Sequence, residues 1–174
     1  MLLLRHIIAI LLTLLTVFGF CACGSKNSYS KNSFSAASGG YTCTAHVSYF
    51  DSEYDLKVSV SGGGVFSAEI VSDGPLDGLV YLIDNDNMQI SYKDIKAQSV
   101  SLEKCPYGFA KLLHGAFLKI ITGTPGLENK NGKFIFETVV DSEPAVFVFD
   151  AGGFPKSLEI KNFGLKAAFS DFKY

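Results

Sequence analysis

The side chains able to do chemistry are few and do not gather. Beyond the apolar N-terminal run two histidines remain, His46 and His114. His46 falls on the polar phase of a period-two run, and His114 lies beside the apolar stripe of a helical one. Each stands without a nucleophile or carboxylate motif around it, so both read as surface or satisfied residues. No G-x-S-x-G, H-E-x-x-H or phosphate-loop pattern occurs. Asp84-Asn85-Asp86-Asn87 would start a calcium loop, but position five would then be Met88, and Gln89 stands where the sharp turn needs glycine. That segment reads as a hairpin turn. No metal, cofactor or catalytic residue is expected.

Four cysteines are present: Cys21, Cys23, Cys43 and Cys105. Arg5 and His6 precede a nearly unbroken apolar run, Ile7 to Phe20. The run is short for a membrane span, which needs about 20 residues, and reads as the core of an export signal. Ala22-Cys23 closes it and resembles the lipobox of bacterial lipoproteins. Cys21 follows the bulky Phe20, so Cys23 is the expected lipid acceptor, with two acyl chains for stable attachment. An uncleaved N-terminal anchor is the alternative. Either reading puts the rest of the chain on the extracytoplasmic face of a cell membrane. Residues 1–22 are then the signal, 23–40 the lipidated cysteine and its tether, and 41–174 the domain. The tether, rich in Ser, Asn and Gly, has a typical reach of roughly 20–25 Å. In an oxidising compartment Cys43 and Cys105 form either a disulfide, tying the helix to the start of the sheet, or a pair of buried thiols.

The net charge is −2 and the one arginine, Arg5, belongs to the signal. A mildly acidic domain whose only fixed cations are lysines lacks the usual residue for bidentate phosphate and base-edge contacts. That argues against nucleic acid as a partner. An all-lysine basic set also suits an AT-rich genome, hence a Gram-positive host.

The elements that would position any site begin at Tyr41. Tyr41, Cys43, Ala45, Val47 and Tyr49 alternate with Thr42, Thr44, His46 and Ser48, a half-buried strand. Similar runs follow, with Gly62-Gly63-Gly64, Asp73-Gly74-Pro75, Asn131-Gly132 and Gly152-Gly153 as turns. About ten strands result, in an antiparallel meander with one apolar face. Ala145 to Phe149 is apolar throughout, as for a strand covered on both faces. One segment breaks the rhythm: Phe109, Leu112, Leu113, Ala116, Phe117, Ile120 and Ile121 have helical spacing, with Pro106 suited to the start and Gly123 and Pro125 to the stop. Ten strands at ~4.8 Å make a sheet roughly 48 Å wide. One helix ~24 Å long and ~10–12 Å across cannot cover it flat. The fold class expected is mainly β (α+β), a curled or half-barrel sheet around one amphipathic helix.

The order of these elements — YTCTAHVSYF, the hairpin DLKVSVSGGGVFSAEIV, GLVYLIDNDNMQISY, the helix PYGFAKLLHGAFLKII and a closing meander — resembles the LolA-like lipoprotein-carrier fold. The look is that of the clostridial germination lipoproteins, over roughly residues 41 to 172. The resemblance implies a non-enzymatic domain. The function expected is binding of lipid or another apolar ligand in the concave face, as the carriers hold acyl chains; the alternative is a scaffold that supports a cell-wall hydrolase, as in the germination lipoproteins. Candidate wall residues are Tyr49, Leu56, Val58, Phe66, Ile70, Phe109, Leu113, Phe117, Phe134, Phe136 and Phe169. A large cavity lined by these rings would favour an acyl-chain ligand. A filled interior with an apolar patch outside would favour an envelope protein as partner.

Overall fold

A computed structural model describes residues 40–105, 108–122, 127–130 and 133–173. The expected export signal, Cys23, the expected tether to residue 39, Pro106, Gly123, Pro125 and the expected turn at Asn131-Gly132 lie outside the described residues. Twelve strands and one α-helix are described. In chain order they are β1 (Gly40–Tyr49), β2 (Ser52–Ser61), β3 (Phe66–Ile70), β4 (Leu79–Asp84), β5 (Asn87–Tyr92), β6 (Ile95–Lys96) and β7 (Val100–Ser101). The helix α1 (Phe109–Thr122) follows, then β8 (Glu128–Lys130), β9 (Lys133–Val140), β10 (Glu143–Phe149), β11 (Pro155–Ile160) and β12 (Leu165–Lys173).

All strands join one antiparallel sheet in the order β6-β5-β4-β3-β2-β1-β12-β11-β10-β9-β8, with β7 also on β5. It is not closed. The first strand is the central one: β1 pairs along its whole length with β2, Gly40 opposite Ser61 and Tyr49 opposite Ser52. On its other side it pairs with β12, where Tyr49 meets Leu165 and Thr42 meets Lys173. Two limbs spread from this seam. Their edges are blunted, one by the two-residue strands β6 and β7 and the other by β8, where Lys130 pairs with Glu128 and Glu137 at 3.0 Å. Short, charged edges resist pairing with other chains.

The period-two reading holds in detail. Tyr41, Cys43, Ala45 and Val47 are buried on β1, as are Leu56, Val58 and Val60 on β2 and Phe66, Ala68 and Ile70 on β3. Their alternates face out. The same inward phase runs through Ala145, Phe147 and Phe149 of β10, Leu158 and Ile160 of β11, and Leu165, Ala167 and Phe169 of β12. This apolar face curls round α1, which buries Phe109, Ala110, Leu112, Leu113, His114, Ala116, Phe117 and Ile120. Gly115 lets the helix approach β9, because a Cβ there would lie 3.2 Å from Val140 Cγ1. Gly40, where the chain enters the sheet, has φ +96°, and a Cβ would fall 2.9 Å from the carbonyl oxygen of Val60. Gly40 thus excludes an ordinary side chain, while a side chain at Gly115 would require Val140 to give by a few tenths of an ångström.

Two expectations change. The run Ile95–Leu102 is not one strand. It divides into β6 and β7, which fold back to cover β5, with the Ala97 N–H donating to the Ile90 carbonyl at 2.8 Å. The apolar strand β10 is not covered on both faces: outward Val146 and Val148 stay half-buried, with Val148 beside half-buried Ile135.

Candidate functional site

The concave face is occupied by the chain's own helix. Phe117 sits at its centre, ring to ring with Tyr41 (5.8 Å), Phe66 (6.3 Å), Phe147 (6.3 Å) and Phe169 (5.2 Å). These partners come from β1, β3, β10 and β12, so one side chain bridges both limbs. Leu56, Val58, Phe66, Ile70 and Leu113 are fully buried around it, and Phe169 nearly so. Of the expected wall, only Tyr49, Phe134 and Phe136 are half-buried, at the margins of the helix. Phe136 lies on Phe147, its ring centroid 6.3 Å away. The structure therefore brings most of the candidates together, as core under α1.

A second aromatic group lies where α1 begins. Phe109 stacks on Tyr54 at 4.6 Å, meets Tyr81 edge-on at 5.2 Å and reaches Tyr49 at 6.4 Å. Tyr49 in turn touches Phe50 at 4.6 Å. The three tyrosines are half-buried, and burial raises the Tyr81 hydroxyl pKa, with Tyr54 adding to the effect. Tyr54, Tyr81 and Phe50 were not among the wall candidates. Tyr54 shares the apolar phase of its strand and Tyr81 lies in an apolar run, which was their available signal. Phe50 stands in the β1–β2 turn with φ +51°, where sequence periodicity carries no information.

The polar candidates are dispersed. His46 faces out, with Nδ1 2.7 Å from Asp55 Oδ1 across the β1–β2 ladder. That hydrogen bond raises its pKa. His114 is buried on α1 with its ring 5.7 Å from Phe66, and desolvation lowers its pKa, Asp86 pulling weakly the other way. Asp84-Asn85-Asp86-Asn87 is the β4–β5 hairpin turn, Asn85 at φ +50° donating from Nδ2 to Asp84 Oδ1 at 3.0 Å. Among the described residues no group of three or more His, Cys, Asp or Glu is placed to hold a metal ion. No described helix is long and apolar enough to cross a membrane.

The Cys43–Cys105 disulfide is not formed: both are buried free thiols. Cys43 faces inward on the central strand. Cys105 follows β7, on the far side of β5, with Sγ donating to the Ser101 carbonyl at 3.4 Å. Four strand intervals separate β1 from β5, about 19 Å along the sheet, where a disulfide needs Cα atoms within about 7 Å. Burial pushes the Cys43 thiol pKa up to about 12.

No family model and no curated protein matches the chain. Solved structures with similar folds exist. An uncharacterized conserved protein from Thermus thermophilus is 10% identical with a TM-score of 0.49, covering 80% of each chain. A LolA superfamily protein from Nitrosomonas europaea is 11% identical with a TM-score of 0.40, over 83% of this chain and 93% of that one. A structure of the CwlD amidase from Clostridioides difficile in complex with the GerS lipoprotein contains a chain 14% identical, with a TM-score of 0.44, over 87% of this chain and 96% of that one. One of the three belongs to the superfamily that the order of elements resembles. The likeness is one of fold, and no residue, partner or role passes from these proteins to this chain.

Proposed function

We propose that this protein is a non-catalytic lipoprotein, tethered through Cys23 to the outer face of a cell membrane, whose domain is a scaffold for an envelope protein. The observation that carries this reading is the packing of α1 into the concave face, with the Phe117 ring against four strands. For an acyl chain to lie there, the helix must leave. Its five large buried apolar side chains contribute about 1.5–3 kcal/mol each, roughly 8–15 kcal/mol together. An acyl chain of about fourteen methylenes recovers roughly 11 kcal/mol at ~0.8 each. The two terms nearly cancel, so lipid has little net reason to displace the helix. The reading extends the scaffold role that the sequence resemblance implies.

Two measurements test it. Titration of delipidated full-length Cys23→Ala protein with a fluorescent fatty acid should show no saturable binding, and extracts of the purified protein should hold no stoichiometric lipid. Saturable one-to-one binding that is lost in Phe117→Asp but kept in Lys119→Ala would establish the carrier reading instead. For the tether, Cys23→Ala should release the protein from the membrane fraction or block its processing. Unchanged fractionation and migration would remove the lipid anchor from the proposal.

A further inference from the structure

In an antiparallel meander the connections alternate between the two ends of the strands. The β1–β2, β3–β4 and β5–β6 connections therefore share one rim, and Gly40, where the N-terminal segment enters, lies at the other. Exposed large apolar side chains collect on the first rim: Phe50 at 65%, Val71 at 43%, Leu76 at 46% and Ile95 at 71%. Backbone and side-chain contacts tie several of its parts together. The Val71 N–H donates to the Asp55 carbonyl, the Tyr92 hydroxyl donates to the Pro75 carbonyl at 3.0 Å, and Ile95 pairs with Tyr92. The Phe50 N–H donates to the Gly164 carbonyl at 3.3 Å, and its ring lies 4.6 Å from that of Tyr49. Around these apolar tips stand exposed Asp51, Glu53, Asp73, Asp77 and Asp94. Against them stand Lys93 in these connections and Lys96 on β6, and the adjoining β11–β12 connection adds Lys161.

We propose that this acidic, apolar-tipped rim is the docking surface for a protein partner that presents an apolar centre bordered by lysine or arginine. The proposal rests on the scaffold reading above. Aromatic and aliphatic anchors inside a charged border are the usual make-up of a protein interface. The charge decides between partners: an anionic bilayer surface repels five carboxylates, whereas a basic protein surface is drawn to them. Position agrees. A strand of ten residues spans about 30 Å, so a lipid attached through the tether ahead of Gly40 enters at the opposite rim and leaves this one free of the attachment.

The test places a photoreactive phenylalanine analogue at Phe50 or Ile95 of the full chain in intact cells of its host, with Gly63 and Asn85 on the opposite rim as controls. The expected result is one discrete protein adduct, from the first two positions only. Its crosslinked peptide should map to a surface rich in Lys or Arg. The charge-reversing pair Asp51→Lys and Asp73→Lys should lower the yield about fivefold while cellular level and protease resistance stay unchanged. Adducts to phospholipid or to a second copy of this chain overturn the proposal. So do adducts insensitive to charge reversal, adducts shared with the control positions, or none at all. Fractionation of the same cells reads the tether separately, so a soluble protein that still gives the rim adduct would sink the anchor and leave the docking surface standing.

Discussion

At Phe117, truncation to alanine removes ring contacts to both limbs at once. The site is enclosed by four strands, so it cannot collapse fully, and Phe117→Ala should cost about 3–5 kcal/mol in urea denaturation. Phe134→Ala, at the half-buried margin, should cost roughly half that; equal losses would mean that the centre of the concave face is not where stability resides. His114 adds a pH dependence. Burial lowers its pKa below the ordinary 6.5 in the folded chain. The unfolded chain then takes the proton first, so stability is level above about pH 7 and falls as pH drops through 6.5. His46 runs the other way: Asp55 raises its folded pKa, and its contribution is present below 6.5 and lost as pH rises through the raised value. His46 is half-exposed, so water screens that contribution to a small one. Melts of His114→Leu between about pH 7.5 and 5.5 should therefore lack the acid decline of the wild type, while His46→Gln retains it. Cys43, with its thiol pKa near 12, should resist alkylation in the native state, and denatured, unreduced domain lacking Cys23 should titrate as two thiols.

Among the elements, α1 against β9 is the closest fit. Gly115→Ala should gain helix propensity, about 1 kcal/mol, and lose it again against Val140 Cγ1. In a Val140→Ala background the clash is gone, so the same change should come out more favourable by about 0.5 kcal/mol or more, a coupling that a double-mutant cycle measures. Additivity would show that the helix does not press on β9. The elements also mark how far the sequence could be read. β1, β2, β3 and α1 were legible because each buries one face and so writes a period of two or 3.6 into its residues. The edge strands β6, β7 and β8 were not, since two or three residues with no buried face carry no period, and the Glu-Asn-Lys of β8 looks like a loop. The candidate wall was legible as apolar surface but not as wall or core. Leu56, Phe66 and Leu113 have the same pattern whether a helix or a ligand covers them, and the curvature of the backbone decides between the two. Phe50 and the rim were out of reach, because turns leave no periodic record and their grouping depends on the strand order.

For the whole molecule, the placing of β1 between β2 and β12 makes the most C-terminal described strand the one that joins the limbs. A chain ending after Ile160 lacks β12 and leaves β1 and β11 with unpaired inner edges. It should fail to reach a protease-resistant state, even though most of the inward apolar residues are still present. A truncated chain that resisted protease like the full one would mean that the β2–β6 limb and α1 fold without their neighbour. The same seam has a mechanical consequence. On the proposed reading a lipid anchor would pull on Gly40 and a partner at the far rim would pull the opposite way, so the load would run along β1. The hydrogen bonds to β2 and β12 lie across that direction. They share the load as rows in shear instead of opening one after another like a zip. A domain entered through its central strand would, if so tethered, carry tension along two rows of hydrogen bonds at once.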